Sequence, residues 1–260
     1  LDAVYFGEIG KYNQSASKIE TELKAKIQQL QSDLPKIEWE KIAKLCAEGD
    51  YAAALPLTQQ LIIDVPTSEY GKQAQSKLRS IELHAAIQNL QAQIDAQPNT
   101  PTAAHAQFRI GKIYERGLQD YPQAIEAYSK LINENPQSPY AAEALYQSGL
   151  IYAYYLNDKG KAIQLCQALI KQYPSSPQTM MANFQLGEIY RSLHRYDEAL
   201  KAYQTTIAYP ERDQYLADGY KDSFADRAQF RIGRVHYEDR RYDDALAAFK
   251  EFIESRSHSP

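Results

Sequence analysis

The residues best suited to metal or nucleophile chemistry are five histidines (His84, His105, His194, His236 and His258) and two cysteines (Cys46 and Cys166) in a chain of 260 residues. None of the histidines stands at ligand spacing from another histidine or from a cysteine, so no zinc site is written into the sequence. Gly7-Glu8-Ile9-Gly10-Lys11 has the glycines and lysine of a phosphate-cradling loop. It lacks the four-residue gap between the glycines and the Ser or Thr after the lysine. Gly-x-Ser-x-Gly, His-Glu-x-x-His and EF-hand patterns are absent. The two cysteines read as small buried hydrophobes, and an acid-rich stretch such as Asp239-Arg240-Arg241-Tyr242-Asp243-Asp244 as a solvated link between helices. Neither a cofactor nor a metal is expected, and the chain is not expected to be an enzyme.

Binding is the chemistry that the spacing does support. Gly111, Gly149, Gly187 and Gly233 recur in phase, and three residues before them stand Phe108, Tyr146, Phe184 and Phe230. Trp39 holds the matching place nearer the N-terminus. On a helix, residues at −6, −3, +1 and +4 or +5 from each glycine share one side. That stripe reads His105, Phe108, Lys112 and Arg116; then Glu143, Tyr146, Leu150 and Tyr154; then Met181, Phe184, Glu188 and Arg191; then Arg227, Phe230, Arg234 and Tyr237. An aromatic ladder flanked by charge suits an apolar helix or an extended peptide. The same rings could instead pack between neighbouring repeats, and the sequence leaves both readings open.

The elements that position this stripe must be helices. Valine occurs only as Val4, Val65 and Val235, while Ala, Leu, Gln, Glu and Lys dominate, and these favour helix over strand. Pro66, Pro98, Pro136, Pro174 and Pro210 are spaced by 32, 38, 38 and 36 residues. In Pro98-Asn99-Thr100-Pro101, Pro136-Gln137-Ser138-Pro139 and Pro174-Ser175-Ser176-Pro177, the first proline stops a helix. Ser or Thr then caps the next, and the second proline suits the first helical turn. Ala124, Ala162, Ala199 and Ala245 follow the four glycines by 12 or 13 residues, with Tyr128, Cys166, Tyr203 and Phe249 four residues further on. Small residues at fixed places let two helices approach, and larger ones a turn later fill the gap. A formal net charge of −4 gives no footprint for nucleic acid, and no apolar run is long enough to span a bilayer.

This Gly-x-x-Tyr, Ala-x-x-x-Tyr, Pro grammar resembles the tetratricopeptide repeat (TPR). The resemblance implies an all-α, right-handed α-solenoid of tandem antiparallel helix pairs, here with an N-terminal amphipathic helix. Four units are expected within 99–260, at about 101–136, 139–174, 177–210 and 223–257. Residues 36–98 form a degenerate TPR-like stretch. Trp39, Ala54 and Pro66 keep the spacing there without a glycine, and residues 67–97 read as one long helix or two fused ones, with Ala86 and Leu90 in second-helix places. The period exceeds the usual one through longer turns at 117–122 and at 210–223, the latter a binding-face insertion or a neutral one. Within 1–35, Ile19, Leu23, Ile27, Leu30 and Leu34 make one stripe, too short for a coiled coil and expected to cap the first repeat. Residues 1–14 are expected to lie extended across the repeats. Ser257-His258-Ser259-Pro260 falls in register with a repeat joint, so the array is expected to continue past it, and Leu1 in place of Met points to an upstream natural N-terminus.

Pro-x-Ser-Pro-Tyr-Ala at 136–141 and Tyr-Pro-Ser-Ser-Pro at 173–177 are similar to a bacterial-envelope TPR subgroup. That subgroup includes the TPR lipoprotein of the outer-membrane β-barrel assembly machine and the periplasmic TPR partner of the Tol–Pal system. It implies a non-catalytic scaffold that holds protein or peptide partners on a concave face, in the periplasm or cell envelope, within a membrane-associated complex; the cytoplasm is the alternative. The groove lacks the Lys and Asn of the co-chaperone carboxylate clamp, having Phe, Leu and Glu at those places. An accessory module of a larger polypeptide is the second reading. A cell-wall or peptide hydrolase is the third, and it lacks the clustered acid–base pair that it would need.

Overall fold

The computed structural model describes residues 2–209 and 224–257, with side chains at 17–209 and 224–254. The long turn at 210–223 and the last three residues lie outside the described residues. Among those described, the chain forms eleven α-helices, one π-helical turn and no strand. It divides into two compact units, Leu1–Asn89 and Leu90–Pro260, the division falling inside one helix.

The second unit carries four helical hairpins in succession. They are α4 (Pro101–Lys112), continued by a π turn (Ile113–Leu118), with α5 (Tyr121–Glu134); α6 (Ala141–Tyr154) with α7 (Lys159–Gln172); α8 (Pro177–Ser192) with α9 (Tyr196–Ile207); and α10 (Phe224–Glu238) with α11 (Tyr242–Ser257). Each helix packs on its hairpin mate, each second helix packs on the next first helix, and α8 also touches α6 and α10. This is the helix-pair stacking of a TPR solenoid.

Glycine in the first helix and a ring in the second close three of these hairpins. A Cβ on Gly111 would stand 2.4 Å from the Tyr128 ring, one on Gly187 2.4 Å from Tyr203, and one on Gly233 2.6 Å from Phe249. The fourth crossing differs, because Gly149 faces the Sγ of Cys166 at 3.5 Å, an ordinary contact. Burial pushes the Cys166 thiol up to about 12, so it serves as a small apolar filler.

The hairpin turns share one backbone solution. Gln119, Asn157, His194 and Arg240 all have φ between 53° and 62°. These residues take the left-handed cap conformation usually left to glycine. Asp120 and Asp158 then cap the second helices, accepting from Gln123 N and Lys161 N. The extra residues expected at 117–122 are absorbed as the π turn, in which the Asp120 N–H reaches back to Tyr114 O. Between hairpins, Asn135 and Tyr173 stop their helices at near-identical angles (φ −135°, ψ 58° and φ −128°, ψ 56°), each just before a proline that disfavours helix. Pro101 and Pro177 occupy the first helical turn, as the spacing predicts. Pro139 does not: α6 begins two residues later, at Ala141.

In the first unit α1 (Asp2–Ala47) and α2 (Tyr51–Asp64) form a hairpin, followed by α3 (Glu69–Ala96), so residues 67–97 contain one helix and not two. Ile42, Ala54, Leu61, Ala74 and Ile81 form the core, with Trp39 partly buried against it. Gly49, with φ 80°, supplies the left-handed turn. Seven residues before it stands Ile42, the distance that separates Gly187 from His194. Thr58 takes the place of the ring and is fully buried, as is Ile42. The large and small partners have exchanged helices, which is why the repeat looked degenerate. Cys46 is only partly buried, unlike Cys166.

Two expectations for the N-terminus are corrected. Residues 2–14 are helical and not extended. The stripe at Ile19, Leu23, Ile27, Leu30 and Leu34 does not cap the first repeat: all five stay at least half exposed. The reason lies at Pro35, which sits inside α1 without ending it, so no turn folds the N-terminal half back.

Gly111→Ala and Gly187→Ala should each destabilise the protein by about 1–3 kcal/mol, since the fully buried rings opposite them cannot retreat. Gly149→Ala should be neutral or stabilising by up to about 1 kcal/mol, the helix-propensity gain being unopposed. Urea unfolding of the three variants measures both.

Candidate functional site

The first helices of the second unit present the side on which the aromatic ladder was placed. Its rungs turn out to be mostly packing. Phe184 and Tyr146 are buried in one cluster with Leu145, Leu186 and Tyr203. Phe184 meets Tyr203 and Phe224 at centroid distances of 5.6 and 5.4 Å. Phe108 stacks on Tyr140 at 5.3 Å and lies against Tyr128 at 5.8 Å. Phe230 meets Phe249 and Phe252, both at 5.7 Å, and keeps 37% exposure.

The flanking residues form the accessible surface. His105 is exposed and stacks on Tyr140. Lys112 lies over the Phe108 ring and pairs with Glu115 at 3.6 Å. Arg227 is exposed and covers Phe184 and Phe224, with its guanidinium 4.9 and 5.0 Å from their centroids. Tyr154 is 61% exposed, and its hydroxyl accepts from Gln185 Nε2 at 2.8 Å, linking α6 to α8. Tyr237 is exposed and meets Tyr242 edge-on. Trp39 is partly buried against the core of the first unit.

Two features stand out on this side. The first is a cleft of about 420 Å³ beside the π turn and α6. Leu150 and Ile151 are its apolar lining, and Arg116, Gln119, Gln147 and Glu115 supply polar groups. Tyr121 and Tyr155, stacked at 4.1 Å, together with Tyr154 complete it. Glu115 is held in place: it accepts from the Tyr128 hydroxyl at 2.6 Å. Burial, and then that bond, push the Tyr128 hydroxyl far above its ordinary range. A mix of aromatic, aliphatic and amide groups around one charged pair fits side chains of a bound polypeptide.

The second feature is an ionic network joining α8, α9 and α10. Glu188 Oε1 accepts from the Tyr203 hydroxyl at 2.5 Å and from Arg231 Nε at 2.6 Å. Arg191 bridges Glu188 at 3.3 Å and Glu238 at 3.0 Å, and Arg234 reaches Glu238 at 3.2 Å. Burial opposes ionisation of Glu188, but the hydrogen bonds from Tyr203 and Arg231 and the nearby arginine charges outweigh it and hold the carboxyl below the usual range.

Gln147, Gln185, Arg231, Glu115 and Glu238 were missed by the pattern reading. A signal was present for three of them: Gln147, Gln185 and Arg231 each stand two residues before a crossing glycine. Gln147 and Gln185 are buried amides, the first donating to Glu143 of its own helix and the second to the Tyr154 hydroxyl. Among the described residues no group of His, Cys, Asp and Glu is placed to hold a metal ion.

A family model described as YfiO, outer membrane lipoprotein, matches residues 63–247, more than half of the chain. No curated protein matches it. Among solved structures, MamA is similar with a TM-score of 0.50 at 22% identity, over 74% of this chain and 96% of that one. BtubC from P. vanneervenii is similar with a TM-score of 0.52 at 17% identity, over 87% and 91%. A tetratricopeptide repeat protein from Parabacteroides merdae gives 0.40 at 17% identity, over 85% and 92%. The likeness to MamA and BtubC is one of fold.

Glu188→Gln should lower stability at pH 7 by about 1–3 kcal/mol, through loss of charge-assisted hydrogen bonds in a half-buried site. A carboxyl depressed in the folded state stabilises it above the unfolded carboxyl range and loses that contribution as pH falls through its folded value. The variant should therefore show a shallower loss of stability than the parent from pH 5 downward, to about pH 3, in urea titrations across that range.

Proposed function

This chain belongs to the YfiO family of outer-membrane lipoproteins, and on that premise we propose that its second unit is a scaffold in the periplasmic envelope, docking a protein segment along the first-helix side. The fold is that of a protein–protein interaction module. What supports the location is the family description; among the described residues no helix is long and apolar enough to cross a membrane.

One observation carries the placement of the site. Tyr146 and Phe184 are buried beside their helix crossings and Phe108 is partly buried, while Arg116, Leu150 and Tyr154 line an open cleft. The division of labour follows: buried rings hold the helices, and the outer residues meet the partner. Lys112, Glu188, Arg191, Arg227, Arg234 and Tyr237 extend that surface along α4, α8 and α10 and would set charge and register. A binding role requires no group transfer, so the chain acts without catalysis. The four hairpins form the binding array.

The test separates core from surface. An Arg116→Ala/Leu150→Ala/Tyr154→Ala variant should keep the parent's helix content and a cooperative unfolding transition, and lose most of the captured partner in pull-downs from envelope extracts. Phe184→Ala should cost about 3–5 kcal/mol of stability because the ring is buried. Unchanged capture by the triple variant would remove the cleft from the binding site.

A further inference from the structure

The N-terminal half of α1 carries an apolar stripe that the described structure leaves to solvent. Ile19, Leu23, Ile27, Leu30, Leu34 and Ile37 are exposed by 50–59%. From Leu23 onward the spacing alternates four and three, the seam of a two-stranded coiled coil. Pro35 falls on the outward side of that seam, so its missing N–H and its ring do not obstruct a partner helix.

The flanking charges specify the partner. In the frame set by the seam, the residues beside it are Lys24 and Lys26 in the first half, Gln31 and Asp33 in the middle, and Glu38 and Glu40 in the second half. We propose that α1 pairs with α1 of a second copy in antiparallel register across Ile27–Ile37, with Ile27 facing Ile37 and Leu30 facing Leu34 of the other copy. That register sets Lys24 against Glu38 of the other copy and Lys26 against Glu40, each twice by two-fold symmetry. The same register opposes the two Asp33 to each other, one like-charge pair against four attractive ones, whereas a parallel register opposes Asp33 to Glu38 twice and offers no attractive pair. Within one helix Lys24 already meets Glu20 at 2.5 Å and Glu40 meets Lys36 at 3.9 Å. These are solvent-exposed i,i+4 pairs and exchange partners at little cost. The five half-exposed Ile and Leu side chains of the seam in each copy bury on the order of 1,000 Å² in total, the lower bound for a specific interface. The dimer is therefore weak, dissociating in the micromolar range, which reconciles it with a seam shorter than stable coiled coils need.

Sedimentation equilibrium of the full chain from about 1 to 300 µM reads the result. The mass should rise from 29.6 kDa toward twice that value. Lys24→Glu/Lys26→Glu and Glu38→Lys/Glu40→Lys should each weaken self-association by about ten-fold or more at low salt. An equimolar mixture of the two double variants should associate within about three-fold of the parent, and so should the chain carrying all four changes. Circular dichroism confirms that each variant keeps the parent's helix content. A monomer throughout the range, or charge reversals that leave association unchanged, would overturn the proposal. Weakening in both double variants without rescue on mixing overturns the antiparallel register.

Discussion

The second unit depends on one steric exchange, a glycine in a first helix receiving an aromatic ring from its mate. At Gly111, Gly187 and Gly233 the ring occupies the space of the missing Cβ. The helices therefore approach closely enough for small alanines to pack, and Tyr128 and Tyr203 are completely buried. The same rings carry the core's influence outward. Their hydroxyls emerge beside the first helix and each captures a carboxylate, Glu115 for Tyr128 and Glu188 for Tyr203. These glutamates come from different places, four residues after one glycine and one residue after the other. The hydroxyl is thus the fixed point, and the carboxylate is recruited to it. Charges on the accessible side are positioned by the packing beneath them.

Helical phase explains why the aromatic ladder is mostly core. At about 100° per residue, a side chain three before a crossing glycine lies about 60° from it, close enough to wedge beside the crossing. Places six before and five after lie about 120–140° away. His105 and Arg227 at the former, and Arg116 and Tyr154 at the latter, are exposed. A stripe that looks uniform in a spacing table therefore divides into a buried edge and an accessible one. Its accessible edge holds more charge than aromatic surface.

Much of the fold was legible because glycine and proline constrain the backbone itself. A proline spaced near 38 residues from the next, with a glycine in phase, leaves few alternatives to a helical hairpin. What stayed hidden depended on conformations that ordinary residues can adopt. The left-handed turns fall on Gln119, His194 and Arg240, residues that give no hint of positive φ, whereas Gly49 does. The π turn adds one residue without any residue type marking it. Pro35 sits inside α1 without ending it, although a proline in a helix interior removes a hydrogen bond. The swap of Ile42 and Thr58 kept the crossing's combined bulk while erasing its signature. The cleft could not be read at all, since it arises from residues on two hairpins.

Gly149 ties these points together. Of the four crossing glycines in the second unit, it alone meets no ring. Cys166 fills the place without a hydroxyl, so α6, like α10 opposite Phe249, has no tyrosine–carboxylate anchor of the kind that fixes Glu115 and Glu188. Its outer residue Tyr154 exchanges hydrogen bonds with one amide, Gln185 of α8. The cleft opens along this helix. A repeat that keeps the steric rule in a weaker form, and drops its polar extension, is the place where a repeated core can present something unrepeated. Function in such an array is best sought where the internal pattern relaxes, because the strict positions are committed to holding neighbouring helices together.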